Sequence, residues 1–112
     1  MIEDETIGPG PAEERRDYEP AAGALVRTFE IVNRKGLHAR ATARLVQCID
    51  AFDVTVTVSR CGETVGGTSI MGILTLGAGL GMTITIAATG REAPQAMEAI
   101  EALIASRFGE EE

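Results

Sequence analysis

His38 is the only histidine in the 112-residue chain. It sits in the stretch Asn33-Arg34-Lys35-Gly36-Leu37-His38-Ala39-Arg40-Ala41-Thr42-Ala43-Arg44. An imidazole is a nucleophile near neutral pH and can carry a group covalently on a ring nitrogen. Arg40 and Arg44 follow where a phosphate would need countercharge, and a guanidinium fork matches phosphate oxygens better than an ammonium does. Gly36 precedes the histidine and an apolar run of helical period follows it, so His38 is expected where a strand gives way to a helix. The first turn of a helix presents unpaired N–H groups and the positive end of the macrodipole, a natural site for a phosphate. A cation such as Arg40 is mildly unfavourable there, which hints at use. A hydrolase built on His38 has no acid, nucleophile or metal ligand beside it in the sequence to work with. Ser69 is a second candidate. It opens Ser69-Ile70-Met71-Gly72-Ile73-Leu74, where a serine caps a short helix and the apolar residues Ile70, Met71 and Leu74 are too many for so short a helix to bury.

The elements that must position these residues follow from the chain in order. Residues 1 to 23 are rich in Glu, Pro, Gly and Ala without periodicity, as expected of a disordered acidic extension. Residues 24 to 32 have strand character, with Leu25, Phe29 and Ile31 towards the core, and Asn33 to Gly36 is a turn. A helix is expected from about Ala39 to Ala51, with Ala41 or Thr42, Leu45, Val46 and Ile49 on one face. Val54, Val56 and Val58 alternate with Thr55, Thr57 and Ser59 as a second strand. Cys61-Gly62 turns into a third, from Glu63 to Gly67. The glycine-rich region after it lacks the Lys-Ser/Thr ending of a nucleotide-binding loop, and is expected to hold a short helix from about Ile70 to Leu76, capped by Thr68 or Ser69. Met82, Ile84 and Ile86 alternate with Thr83 and Thr85 as the fourth strand. A last helix has Pro94 in its first turn and buries Met97, Ile100, Ile104 and, at its end, Phe108. The order βαββαβα with antiparallel strands is an α+β two-layer sandwich with helices on one face.

Gly-Leu-His-Ala-Arg, followed some thirty residues on by Ser69-Ile70-Met71-Gly72-Ile73-Leu74, resembles the HPr family, the small phosphocarriers of the bacterial phosphoenolpyruvate-dependent phosphotransferase system. The resemblance covers roughly residues 24 to 108, taken as one domain over 24–109 between the leader and an acidic tail at 110–112. It implies an open-faced sandwich with sheet order 1-4-2-3. It implies that His38 accepts a phosphoryl group on Nδ1 from enzyme I and passes it to IIA-type domains, with Arg40 stabilising the phosphate. It also implies that Ser69 is the target of an HPr kinase/phosphorylase, and that Ala39, Arg44, Ile70, Met71 and Leu74 lie on the partner-binding surface. The chain departs from many members in two places: Ala41 stands where proline is common, and Gly72 where lysine is common. An alternative function is a regulatory protein-binding module controlled at Ser69, with little role in sugar transport.

Composition bounds the rest. One domain of this length holds one modest core. The net charge of −7 is carried by the ends: residues 1–23 carry −5 and Glu110 to Glu112 carry −3, leaving residues 24–109 at +1. No basic stripe interleaved with aromatics suggests nucleic acid. No apolar run approaches the roughly 18 residues of a membrane span, and no signal peptide is expected. Cys48 and Cys61 lack paired spacing and read as free thiols in a reducing cytosol, placed in or near the core. The expectation is a cytoplasmic monomer that carries a phosphoryl group rather than turning over substrate, without metal or cofactor.

Overall fold

A strand whose alternate residues are valine and threonine can bury one face and leave the other to water, and the sheet is built around that alternation. The computed structural model describes residues 23–111; the expectation for the extension at 1–22, and for Glu112, lies outside the described residues. The elements are β1 (Leu25–Glu30), α1 (Ala39–Asp50), β2 (Thr55–Arg60), β3 (Glu63–Gly66), α2 (Ile70–Thr75), β4 (Thr83–Thr89) and α3 (Ala93–Ala105), closed by a 3₁₀ turn at Arg107–Gly109. The sheet order is β1-β4-β2-β3, all antiparallel, as the resemblance implies.

Val58 lies opposite Ile86 in the β2–β4 register and Phe29 opposite Ile84 in the β1–β4 register. Val58, Ile84 and Ile86 are fully buried beneath the helices, with Ile31, Leu45, Ile49, Ile73, Met97, Ile100, Ile104 and Phe108 completing the core. On the other face hydroxyls pair across strands, Thr28 with Thr85 at 3.2 Å and Ser59 with Thr64 at 2.9 Å. The β2–β3 connection is a two-residue turn in which Cys61 (φ 52°) and Gly62 (φ 83°) are both left-handed, the geometry that matches the twist of a hairpin.

Four expectations about side chains are corrected. Leu25 is 38% exposed because it opens a strand that, among the described residues, stands at the sheet edge with a neighbour on one side. Met82 is 41% exposed; it precedes β4, and its sulfur accepts from Arg60 Nη2 at 3.0 Å and from the Gly79 N–H at 3.3 Å. Cys61 is exposed at the hairpin turn, while Cys48 is half-buried and burial pushes its thiol pKa up. Phe108 is buried as expected, but from the 3₁₀ turn rather than from α3, with a left-handed backbone at φ 56°. Among the described residues no helix is long and apolar enough to cross a membrane.

Candidate functional site

Asn33 sets the loop that carries the histidine. It is fully buried, and its Nδ2 donates to the Gly36 carbonyl at 2.9 Å while the Gly36 N–H donates to the Asn33 carbonyl at 3.2 Å. Gly36 is left-handed at φ +69°, and a Cβ there would come 2.7 Å from the Ala78 carbonyl oxygen, so only glycine allows this close approach. The Leu37 N–H then donates to that same Ala78 carbonyl at 2.9 Å. Buried Leu37 and the bond from Thr42 Oγ1 to the Leu37 carbonyl, 3.2 Å, lock the chain as it enters α1.

His38 is the N-cap of α1. Its backbone is extended (φ −78°, ψ −178°) and its carbonyl accepts the Thr42 N–H at 2.9 Å. Its Nδ1 accepts the Arg40 N–H at 3.3 Å, the role a serine or aspartate oxygen usually fills. Nε2 points the other way and lies 2.5 Å from Glu110 Oε2. A backbone N–H can only donate and an ionised carboxylate can only accept. The two contacts therefore assign one tautomer, with the lone pair on Nδ1 and the proton on Nε2. The ring remains partly open to solvent, with 28% of the side chain exposed against 14% for Glu110.

Glu110 is the residue that sequence reasoning missed. The sequence shows it only as one of three terminal acids, with no periodicity to place it, and offers His38 no acidic companion; the fold supplies one. Its other oxygen, Oε1, accepts from Asn33 Nδ2 at 3.1 Å. The hydrogen bonds from Asn33 and His38 hold the Glu110 carboxyl below its ordinary value of 4.5, with the charges of His38 and Lys35 acting in the same direction.

Beside the ring lies an open basin of ≈ 300 Å³ lined by Arg34, Lys35, Arg40, Arg44, Gly109, Glu110 and Glu111. Four cations face two carboxylates there, a net positive concavity. Arg40 is exposed. Arg44 is half-buried, and its Nη1 donates to the Phe108 carbonyl, so it ties the C-terminal turn to α1. Ala39 is exposed and Ala41 buried in the first turn.

Ser69 caps α2, accepting the Gly72 N–H on Oγ at 3.1 Å, and is itself exposed. Ile70 and Met71 are 41% and 71% exposed, Leu74 is half-buried, and α2 packs against α1. A Cβ at Gly72 would stand 2.9 Å from Ser69 Oγ and 3.0 Å from Val65 Cβ, so a larger residue here requires Ser69 and Val65 to shift. Ser69 and His38 thus occupy equivalent positions at the starts of two neighbouring helices.

The family model described as "PTS HPr component phosphorylation site" matches residues 25–106. The chain belongs to the HPr family. It is 48% identical to the phosphocarrier protein HPr of Cupriavidus necator over 79% of this chain and 99% of that one. It is 37% identical to the phosphocarrier protein NPr of Shewanella violacea over 77% and 94%. Among solved structures, HPr from Thermoanaerobacter tengcongensis superposes with a TM-score of 0.75 at 39% identity, covering 79% of this chain and 99% of that one. The fold and the family expected from the histidine and serine segments are therefore both found.

Proposed function

We propose that the chain is a phosphocarrier that accepts a phosphoryl group on His38 Nδ1 from phosphorylated enzyme I and hands it to IIA-type domains in the cytoplasm. The observation that carries this reading is the placement of Nδ1. Its lone pair faces the Arg40 N–H in the first turn of α1, and Arg40 and Arg44 also line the neighbouring basin. A phosphoryl group formed there takes over the ring's place as acceptor for the helix N-terminus, and its charge is met by the macrodipole and the Arg40 guanidinium. Glu110, the carboxylate in contact with the ring, is engaged at both oxygens and sits at Nε2, away from Nδ1; a phosphoramidate on Nδ1 therefore persists until a partner closes over it and supplies the remaining groups. Exposed Ile70 and Met71 fit a surface that docks several partners, since methionine adapts to different shapes.

Incubation with phosphoenolpyruvate and enzyme I is expected to give an acid-labile, alkali-stable label that His38→Ala abolishes. No label with a cognate enzyme I overturns the reading.

A second reading, a regulatory module controlled at Ser69 by an HPr kinase/phosphorylase, is favoured by one observation: Ser69 is exposed and adjoins the apolar residues Ile70 and Met71. A dianion there suits the helix N-terminus but sets charge against an apolar docking face. ATP-dependent labelling that Ser69→Ala removes, together with a phenotype that follows Ser69 and not His38, would favour it.

A further inference from the structure

We propose that Glu110 is a positioning residue for His38: its carboxylate keeps the ring proton on Nε2 and the nucleophilic lone pair on Nδ1, and balances the positive charge the ring gains when Nδ1 is phosphorylated. This rests on the phosphocarrier reading for its second half only; the first half concerns the unmodified ring.

The contact is built rather than incidental. Glu110 lies 72 residues from His38 in sequence, and the chain is carried back to the ring by a rooted turn. Phe108 is fully buried, its carbonyl is held by Arg44, and the Gly109 and Glu110 N–H groups donate to the Ser106 and Arg107 carbonyls, each at 3.0 Å. Arg107 and Phe108 both adopt left-handed φ, 60° and 56°, a conformation that non-glycine residues hold only where surrounding contacts impose it. The carboxylate is gripped at both oxygens, by Asn33 Nδ2 and His38 Nε2, so its position is set by groups that also set the loop. A carboxylate on one imidazole nitrogen fixes the tautomer and orientation of the ring and strengthens the other nitrogen as a base.

The groups facing Glu110 are His38, Arg40 and Arg44 from α1, Arg34 and Lys35 from the preceding turn, and Glu111 from its own segment. In the transfer, the Nδ1 lone pair forms the bond to phosphorus. The phosphorus–nitrogen bond of the donor phosphohistidine breaks, and its electron pair returns to the donor ring. The Nε2 proton stays on His38 throughout, so the product is a phosphoimidazolium facing Glu110. On discharge the phosphorus–Nδ1 bond breaks and its pair returns to Nδ1. Because Glu110 sits at Nε2, it does not occupy the path of the incoming group.

His38 being the only histidine, selective ¹⁵N labelling of histidine in the full chain gives one ring to read by NMR. The wild type is expected to show the Nε2 proton as a downfield, slowly exchanging signal, with no proton on Nδ1. Glu110→Ala is expected to lose that signal to solvent exchange, and to lower kcat/KM for phosphoryl uptake from phosphorylated enzyme I on the order of tenfold, as removal of a group that orients a histidine does. Glu110→Gln keeps an acceptor oxygen without the charge, and is expected to keep the signal while transferring at an intermediate rate. An unchanged ring signal in Glu110→Ala overturns the proposal. So does uptake as fast as or faster than the wild type, which would make the tail a lid instead. If the wild type takes up no phosphate at all, the carrier reading fails while the ring signal still reports on Glu110.

Discussion

On the proposed function, the His38 nitrogen that would receive the phosphoryl group is the same atom that caps α1, through the Arg40 N–H at 3.3 Å. Loading the ring therefore exchanges one acceptor for several, and the helix start is better satisfied after the reaction than the long bond from nitrogen suggests before it. The Arg40 side chain is exposed, so Arg40→Ala is expected to leave stability within about 0.5 kcal/mol. Phosphoryl uptake, measured with phosphorylated enzyme I, is expected to fall about tenfold to a hundredfold, less than for a donor shielded from water. Glu110 gives the residue scale a pH signature. Its carboxyl is held below 4.5 by Asn33 first and His38 second. A group with a lowered folded value contributes stability that is fully present above its unfolded value and is lost as pH falls through the folded one. The stability difference between wild type and Glu110→Gln, from urea unfolding at a series of pH values, should be constant above 4.5 and shrink below it.

At the scale of elements, the turn from Asn33 to His38 decides where the ring goes. Gly36→Ala would force a side chain into a left-handed residue and within 2.7 Å of the Ala78 carbonyl. A loss of about 1–3 kcal/mol is expected, read as a lower melting temperature, together with slower phosphoryl uptake because Leu37 and His38 lose their anchor. Most of the elements were legible in the sequence because each carries its own local signal: the Val/Thr alternation of β2, the apolar spacing of α1, and the glycine that must break the chain before His38. The helix start that positions His38 was legible for the same reason. What was not legible depends on tertiary partners. Leu25 and Met82 have the right parity for the core, yet stand at ends where the sheet or helices no longer cover them. The Cys61-Gly62 turn was itself legible, and it is this turn that holds Cys61 out of the core. Glu110 and Asn33 meet across 77 residues, and neither residue type announces such a partner; only the burial of an asparagine with two donor hydrogens to satisfy makes sense of it.

For the whole molecule, the C-terminal turn belongs to both the core and the site, and two truncations separate these roles. Ending the chain after Ser106 removes Phe108, which is fully buried, and should cost about 3–5 kcal/mol, a large part of the roughly 5–15 kcal/mol that holds a domain of this kind together. Ending it after Gly109 keeps Phe108 and removes Glu110, so the urea midpoint should move little while phosphoryl uptake slows. Equal losses of stability in the two truncations would show that Phe108 does not carry the packing attributed to it.

The register of the sheet bears on how the molecule is made. Among the described residues β1 pairs only with β4, from Leu25 opposite Ala88 to Glu30 opposite Thr83. During synthesis β1 must therefore wait, its backbone groups unmatched by the sheet, until β4, the last strand of the sheet, has emerged. Long-range pairing of this sort is slow and leaves an edge open to other chains in the interval. Nascent chains halted before residue 83 should thus hold β1 in an unprotected state, whatever α1 and the β2–β3 hairpin have already achieved.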